Sequence, residues 1–133
     1  MNIGIVGATG QVGTVMREIL AQRNFPIKSI RFFASSRSAG KEIEFQGKSI
    51  LVEDAATAKW ENLDIVLFSA GGQLSKELAP KVASSGDVVI DNSSAWRMDP
   101  DLCICHNIIV VVRIWVALFQ KYPGACDSQR ACI

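Results

Sequence analysis

Three glycines near the amino terminus have the spacing that a nucleotide phosphate requires. The sequence Gly7-Ala8-Thr9-Gly10-Gln11-Val12-Gly13 follows a short apolar segment and opens a run with helical periodicity. At such a turn Gly7 allows a tight bend, Gly10 lets backbone approach a pyrophosphate, and Gly13 lets the helix pack closely on the strand. The free N–H groups at the helix start then face the phosphates. Gly7, Gly10 and Gly13 are therefore candidate residues of a dinucleotide site. The alternative is an ordinary glycine-rich turn between a strand and a helix.

A second polar loop indicates which dinucleotide is bound. NAD sites usually place an acidic residue at the end of the second strand, where it holds the ribose 2′-hydroxyl. Here that position is followed by Ser35-Ser36-Arg37-Ser38-Ala39-Gly40, and the first carboxylate is Glu42. Hydroxyls and a guanidinium suit a 2′-phosphate, because arginine forms paired, charge-assisted hydrogen bonds with it. The loop therefore favours NADP.

The elements that hold these loops alternate between strands and helices. Buried strands are predicted over 2–6, 27–34, 64–68 and 87–91, with a hairpin or an excursion over 42–52 that turns at Gln46-Gly47. One helix follows Gly10, and another is predicted from an N-cap at Ser75 through Ala83, closed by Gly86. Pro80 should disturb the second helix. The pattern predicts an α/β fold, a Rossmann-like doubly wound and mostly parallel sheet.

Composition excludes several classes of function. The 133 residues suffice for one domain, and a net charge of +1 argues against nucleic-acid or membrane-surface binding. The amino terminus does not resemble a secretory signal, so we expect a cytoplasmic protein. The apolar stretch 102–119 is not a membrane span, since Arg113 near its centre costs roughly 2.5–3.5 kcal/mol on insertion scales. The spacing of Cys103 and Cys105 does not match a zinc site, and we predict no metal.

Four motifs together closely resemble the amino-terminal part of bacterial aspartate-semialdehyde dehydrogenase. They are Gly7 to Gly13, Ala34 to Gly40, the run Leu67-Phe68-Ser69-Ala70-Gly71-Gly72, and Asp91-Asn92-Ser93-Ser94-Ala95-Trp96-Arg97. The resemblance covers residues 1–101, which we treat as an NADP-binding domain. It implies the NADP-dependent interconversion of L-aspartyl-4-phosphate and aspartate 4-semialdehyde, on the route to lysine, threonine and methionine. It further implies that Thr9, Gly10, Gln11, Val12 and Gly13 hold the pyrophosphate and that Ser36, Arg37 and Ser38 meet the 2′-phosphate. By the same resemblance Ser69, Ala70, Gly71 and Gly72 line the cofactor, and Arg97 binds the phosphate of the small-molecule substrate.

The tail 102–133 departs from the family. The resemblance implies a later catalytic and dimerisation domain, with a nucleophilic cysteine, an acid/base histidine and a homo-oligomeric assembly. All four cysteines, the single histidine and the single tyrosine of this chain lie after Asp101, in segments unlike the family's. We therefore expect an incomplete fold without catalytic residues, and we interpret the tail as the product of a shifted reading frame. Coding DNA that restores no family-like continuation in the other two frames would contradict this.

Three alternatives remain at this stage. A short-chain reductase or epimerase needs a tyrosine with a lysine four residues later, but Tyr122 is followed at that spacing by Cys126. A reductase of the N-acetylglutamyl-phosphate type has the same architecture, although the serine–arginine loop and the 92–97 run fit the aspartate enzyme better. The third is a non-enzymatic one, a cofactor-binding or unstable fragment.

Overall fold

A computed structural model describes residues 1–96 together with the backbone of 103–105 and 108–111. Its elements, in chain order, are β1 (Asn2–Val6), α1 (Gln11–Gln22), β2 (Ser29–Ala34), β3 (Glu42–Phe45), β4 (Lys48–Asp54), β5 (Ile65–Phe68), α2 (Gly72–Ser84), β6 (Val88–Asp91), β7 (Cys103–Cys105) and β8 (Ile108–Val111).

All the strands join one sheet in the order β3-β4-β2-β1-β5-β6-β8-β7. The five central strands, from β4 to β6, run parallel. The hairpin strand β3 is antiparallel to β4, and β8 is antiparallel to β6. From β1 the chain moves first towards β2 and later, through β5, in the opposite direction. The mostly parallel Rossmann-like sheet predicted from the sequence is confirmed, and its strand order reverses between β1 and β5.

Each helix covers a different face of this sheet. On one face, Ile5 and Phe32 are fully buried, and Met16 and Leu20 of α1 pack against them. On the other face, Phe33 and Phe68 are packed with α2, through Leu78, Ala79, Val82 and Ala83. Neighbouring residues of a strand point to opposite faces, so Phe32 lies in the core that α1 covers and Phe33 in the core that α2 covers. The doubly wound arrangement is confirmed.

The structure confirms the predicted hairpin turn, whereas helix α2 begins earlier than the sequence predicts. Gln46 and Gly47 both have positive φ, 50° and 75°, as the predicted tight hairpin requires. Helix α2 begins at Gly72 with Gly71 as its N-cap, so the prediction of Ser75 as the N-cap is wrong. Ser75 instead lies in the first turn, fully buried, and its hydroxyl bonds Asp91.

Helix α2 continues through Pro80, which the sequence pattern indicated as a disturbance. Proline removes the N–H that would bond the carbonyl of Lys76. Both Pro80 and Lys76 are exposed, so water can satisfy that carbonyl. Gly86 closes the helix as expected, with φ of 97° and its N–H bonded to the carbonyl of Ala83 at 3.1 Å. Among the described residues, no helix is long and apolar enough to cross a membrane.

Candidate nucleotide-binding site

The first glycine turn leaves an open helix start at the carboxyl end of β1. Gly7 has φ of 81°, and its N–H bonds the carbonyl of Phe33 at 2.8 Å, which fixes the turn to the neighbouring strand β2. Gly10 is the N-cap of α1 and no side chain caps the helix. The first helical bond runs from the N–H of Thr14 to the carbonyl of Gly10, at 2.9 Å. Within the described chain, the N–H groups of residues 11–13 therefore have no acceptor, and they suit an anion.

Close packing requires glycine at position 13 and, as shown below, at position 7, but less strictly at position 10. A Cβ on Gly13 would overlap the carbonyl oxygen of Gly7 and lie 2.8 Å from the Cα of Ala8. Helix α1 can thus approach the turn only because residue 13 has no side chain. Gly10 is less constrained, since its Cβ would lie 3.3 Å from the Gly7 oxygen. Thr9, Gln11 and Val12 are exposed beside the turn.

The second glycine turn contacts the first. A Cβ on Gly7 would overlap the carbonyl oxygen of Ser69, and the N–H of Ser69 bonds the carbonyl of Val6 at 2.9 Å. Ser69 and Ala70 are half-buried, and Gly71 and Gly72 open α2 without a side-chain cap. The two turns follow β1 and β5, the pair between which the strand order reverses. Ligands of open α/β sheets bind in the crevice at such a switch point.

The serine–arginine loop follows β2 and closes on itself. The carbonyl of Ser35 accepts the N–H groups of Ser38 and Ala39 at 2.8 and 3.0 Å. Ser36 and Arg37 lie exposed in this turn, and Ser38 is half-buried. Across the described residues, the Arg37 side chain has no hydrogen bond or ion pair. The guanidinium is therefore available to an anionic ligand.

The nearest carboxylate in register belongs to the neighbouring strand. Asp54 of β4 pairs with Ala34, the last residue of β2. Its Oδ1 accepts the N–H of Ala56 at 3.0 Å, which uses the carboxylate to cap the following turn. The register between β2 and β4 could not be read from the sequence, so no sequence pattern indicated Asp54 as a neighbour of this loop.

A buried polar cluster lies beside the second turn and was not predicted. Asp91, at the end of β6, is fully buried, and its Oδ2 accepts hydrogen bonds from the hydroxyls of Ser75 and Ser93 and from the indole Nε1 of Trp96. Its Oδ1 accepts the N–H of Ser93 at 2.7 Å. The Trp96 Nε1 also lies 2.8 Å from Ser75 Oγ. The sequence signals were a carboxylate ending an otherwise apolar strand and its place at the start of the Asp91 to Arg97 motif.

Ionisable groups with altered pKa values lie elsewhere in the sheet. Burial, and then the charge of Asp64, raise the pKa of Asp87, which precedes β6 at the end of the sheet opposite to the glycine turns. In β2, the hydrogen bonds that Arg31 donates to the Glu53 carboxylate outweigh the effect of burial and raise the pKa of Arg31. Neither group lies at a glycine turn, so these shifts concern stability.

Several sequence predictions fall on residues outside the described part of the chain. Arg97 is one of them, as are His106, Tyr122 and Cys126. The backbone of residues 103–105 and 108–111 forms an antiparallel pair of strands. No group of three or more potential metal ligands occurs among the described residues.

Comparison with known proteins shows the family of this chain. Residues 2–115 match the family described as "Semialdehyde dehydrogenase, NAD binding domain". The chain is 66% identical over 102 residues to an aspartate-semialdehyde dehydrogenase of Streptomyces akiyoshiensis. This match covers 77% of this chain and 29% of that protein. It is 58% identical over 102 residues to the enzyme of Mycolicibacterium smegmatis, covering 30% of it.

A solved structure shows the same fold. The structure of aspartate semialdehyde dehydrogenase II from Vibrio cholerae, complexed with ASA, superposes with a TM-score of 0.73 at 47% identity. The match covers 75% of this chain and 33% of that one. The chain thus spans about a third or less of the length of the relatives it matches.

Proposed function

This chain belongs to the semialdehyde dehydrogenase family through its NAD-binding domain, and we propose that it is the NADP-binding part of an aspartate-semialdehyde dehydrogenase. The pyrophosphate binds the turn from Gly7 to Gly13, and the ribose and nicotinamide lie along Ser69 to Gly72. The observation that supports this most directly is the contact of Gly7 with Ser69 at the switch point, beside the unpaired N–H groups that open α1.

The fit between the turn and a pyrophosphate is steric as well as electrostatic. Gly7 has a backbone conformation that favours glycine, and the contacts of Gly7 and Gly13 exclude side chains. The backbone at the helix start is consequently accessible to a bulky anion. The dipole of α1 adds a favourable interaction of about 0.3–1 kcal/mol with negative charge near its amino terminus.

NADP rather than NAD is favoured by the charges at the end of β2. Arg37 has no described partner, whereas the nearest carboxylate in register, Asp54, caps Ala56. A 2′-phosphate therefore meets a guanidinium, with the hydroxyls of Ser36 and Ser38 close by in sequence. An NAD site would instead require a carboxylate free to bind the 2′-hydroxyl.

For the whole enzyme we propose the interconversion of L-aspartyl-4-phosphate and aspartate 4-semialdehyde in amino-acid biosynthesis, in the cytoplasm. In this reaction the cofactor supplies or accepts a hydride, and Arg97 binds the substrate phosphate. Names of relatives at 66% and 58% identity support this activity over the N-acetylglutamyl-phosphate alternative. We further propose that this chain alone does not complete the reaction, because its cysteines and its histidine lie in segments that do not resemble the family's.

A titration of the purified chain with NADPH and NADH tests the cofactor assignment. We expect NADPH to bind more tightly and to raise the midpoint of a cooperative thermal transition, as any ligand specific for the folded state does. Equal affinities, or a preference for NADH, would refute NADP specificity. Absence of any thermal transition would favour an unstable fragment. NADPH formation from semialdehyde and phosphate by the chain alone would refute the proposed lack of catalysis.

A further inference from the structure

The carboxylate of Asp91 connects the two segments that the proposed function assigns to cofactor and substrate. Asp91 pairs in register with Phe68, the residue before Ser69, and the next N–H, of Asn92, bonds the Phe68 carbonyl at 3.0 Å. It therefore lies beside the second glycine turn. Its own chain continues into the 92–96 loop, which leads directly to Arg97.

Each segment contributes donors to this carboxylate. From α2, the Ser75 hydroxyl bonds Oδ2; Ser75 is the fourth residue of the helix that Gly71 and Gly72 open. From the loop, the Ser93 hydroxyl bonds Oδ2 at 3.0 Å, and the Trp96 indole bonds it at 3.1 Å. The contact extends to backbone, since a Cβ on Gly72 would lie 3.8 Å from the Cα of Ala95. One buried group thus fixes the helix start and the loop relative to each other.

The composition of the cluster is costly for a purely structural contact. Asp91 is fully buried, and within the described chain the ion pairs join Arg31 to Glu53 and Lys81 to Glu77, not a cation to Asp91. Neutral donors and the amino-terminal dipole of α2 compensate the buried carboxylate. A packed apolar side chain would stabilise the sheet at lower desolvation cost. What the carboxylate provides is several directed hydrogen bonds at once.

We propose that Asp91 is a positioning residue, which orients the Ser69–Gly72 turn towards the cofactor and the Ser93–Trp96 loop towards the substrate phosphate. The inference rests on the proposed function, since it takes NADP and phosphate as the ligands of these segments. Asp91 itself contacts neither ligand. It acts through Ser75 on the cofactor side and through Ser93 and Trp96 on the phosphate side.

Asp91→Asn tests both sides with little change of shape. An amide offers one oxygen and one NH2, so whichever way it is turned, the NH2 faces a donor that the carboxylate accepted. Trp96→Phe removes the indole N–H together with part of the ring, and leaves the bond between Ser75 and Asp91 intact. Asp87→Asn is the matched control, because it neutralises a second buried carboxylate, at the opposite end of the same strand and outside the cluster.

The purified chain is titrated with NADPH by calorimetry and with inorganic phosphate by the amide shifts of residues 93–96. We expect Asp91→Asn to weaken both ligands about tenfold, the effect of a lost charge-assisted hydrogen bond. Trp96→Phe should weaken phosphate by roughly fivefold or more with NADPH affinity unchanged, and Asp87→Asn should leave both affinities unchanged. A positioning role changes these dissociation constants of the folded protein, whereas a structural role lowers only the thermal midpoint.

Different outcomes contradict different claims. If the unaltered chain binds no NADPH, the proposed function is wrong and the positioning role falls with it. If the unaltered chain binds both ligands and Asp91→Asn binds them equally well, or loses only one, the positioning role alone is wrong. Should Asp91→Asn fail to fold, Trp96→Phe decides, since unchanged phosphate affinity overturns the proposal.

Discussion

Gly7 lies so close to Ser69 that a Cβ on Gly7 would overlap the Ser69 carbonyl oxygen and lie 2.9 Å from its carbonyl carbon. These residues follow β1 and β5, the two strands at which the order of the sheet reverses. The two glycine-rich turns therefore form one continuous surface. A change in the backbone of either turn should displace the other turn, because their backbones are in direct contact with no flexible side chain between them.

The first prediction concerns the packing of α1 on the glycine turn. Gly13→Ala should destabilise the chain by about 1–3 kcal/mol, the usual cost of overpacking, although alanine is the better helix former. The new methyl group would overlap backbone of Gly7 and lie 2.8 Å from the Cα of Ala8. Urea unfolding measures the change. Gly72→Ala is the matched helical control, since its Cβ would meet only ordinary contacts at 3.7–3.8 Å; there a neutral or stabilising effect, up to about 1 kcal/mol, is expected. Equal effects at both positions would contradict the packing argument.

How far the sequence predicts this structure depends on the range of the interactions. Strand positions and the hairpin at Gln46-Gly47 follow from local periodicity and turn chemistry, and both are confirmed. Helix α2 starts three residues before the predicted N-cap, because Ser75 bonds Asp91, sixteen residues further along the chain, and not its own helix end. Long-range polar partners of this kind leave no periodic signal.

Helix α1 shows a related limit of sequence patterns. Five apolar residues follow Gly10 at helical spacing, which favours burial of all of them. Met16 and Leu20 pack on the core, but Val12, Val15 and Ile19 are 43%, 49% and 44% exposed. Periodicity identifies an apolar face without indicating which part of it the sheet covers. The assignment of Ser36, Arg37 and Ser38 as NADP ligands remains a prediction. The hydroxyls and the guanidinium of a turn do not by themselves show which ligand it binds.

The second prediction concerns cofactor discrimination by Arg37. Arg37→Ala should weaken NADPH binding about 10- to 100-fold, because one or two charge-assisted hydrogen bonds to the 2′-phosphate are lost. NADH affinity should stay the same, since NADH lacks that phosphate. Fluorescence titration with both nucleotides measures the ratio. Arg23→Ala removes another exposed arginine, at the carboxyl end of α1, and should leave both affinities unaltered. A parallel loss of NADH binding would show that Arg37 does not read the 2′-phosphate.

The third prediction concerns the ion pair that joins β2 to β4. Arg31 donates from Nε and Nη2 to the two Glu53 oxygens, both at 2.7 Å, and its guanidinium lies 4.9 Å from the centre of the Phe33 ring. Arg31→Lys loses the paired geometry and the planar stacking, and should cost about 1 kcal/mol, limited by partial solvent exposure. Chemical unfolding at low salt gives this value. Lys81→Ala breaks a looser pair, 3.6 Å from Glu77 and 60% exposed, and should change stability by less than about 0.5 kcal/mol. If the two substitutions cost the same, the paired geometry contributes nothing.

The last prediction is a pH dependence that originates at Asp87. Asp87 is 5% exposed, one of its oxygens has no described partner, and burial together with the charge of Asp64 raises its pKa above the ordinary 3.8. A carboxyl with a raised pKa in the folded state holds its proton more tightly there than in the unfolded chain. Its stabilising contribution is therefore fully present below pH 3.8 and is lost as the pH rises through the raised pKa.

Asp87→Asn should consequently be more stable than the unaltered chain at pH 7, and this advantage should shrink towards zero as the pH falls to the ordinary value. Urea unfolding across that window measures the difference in free energy, with Glu77→Gln as the control that neutralises a carboxylate that is 61% exposed. An advantage that grows on acidification would mean that the folded state binds the proton less tightly, which burial beside Asp64 does not allow.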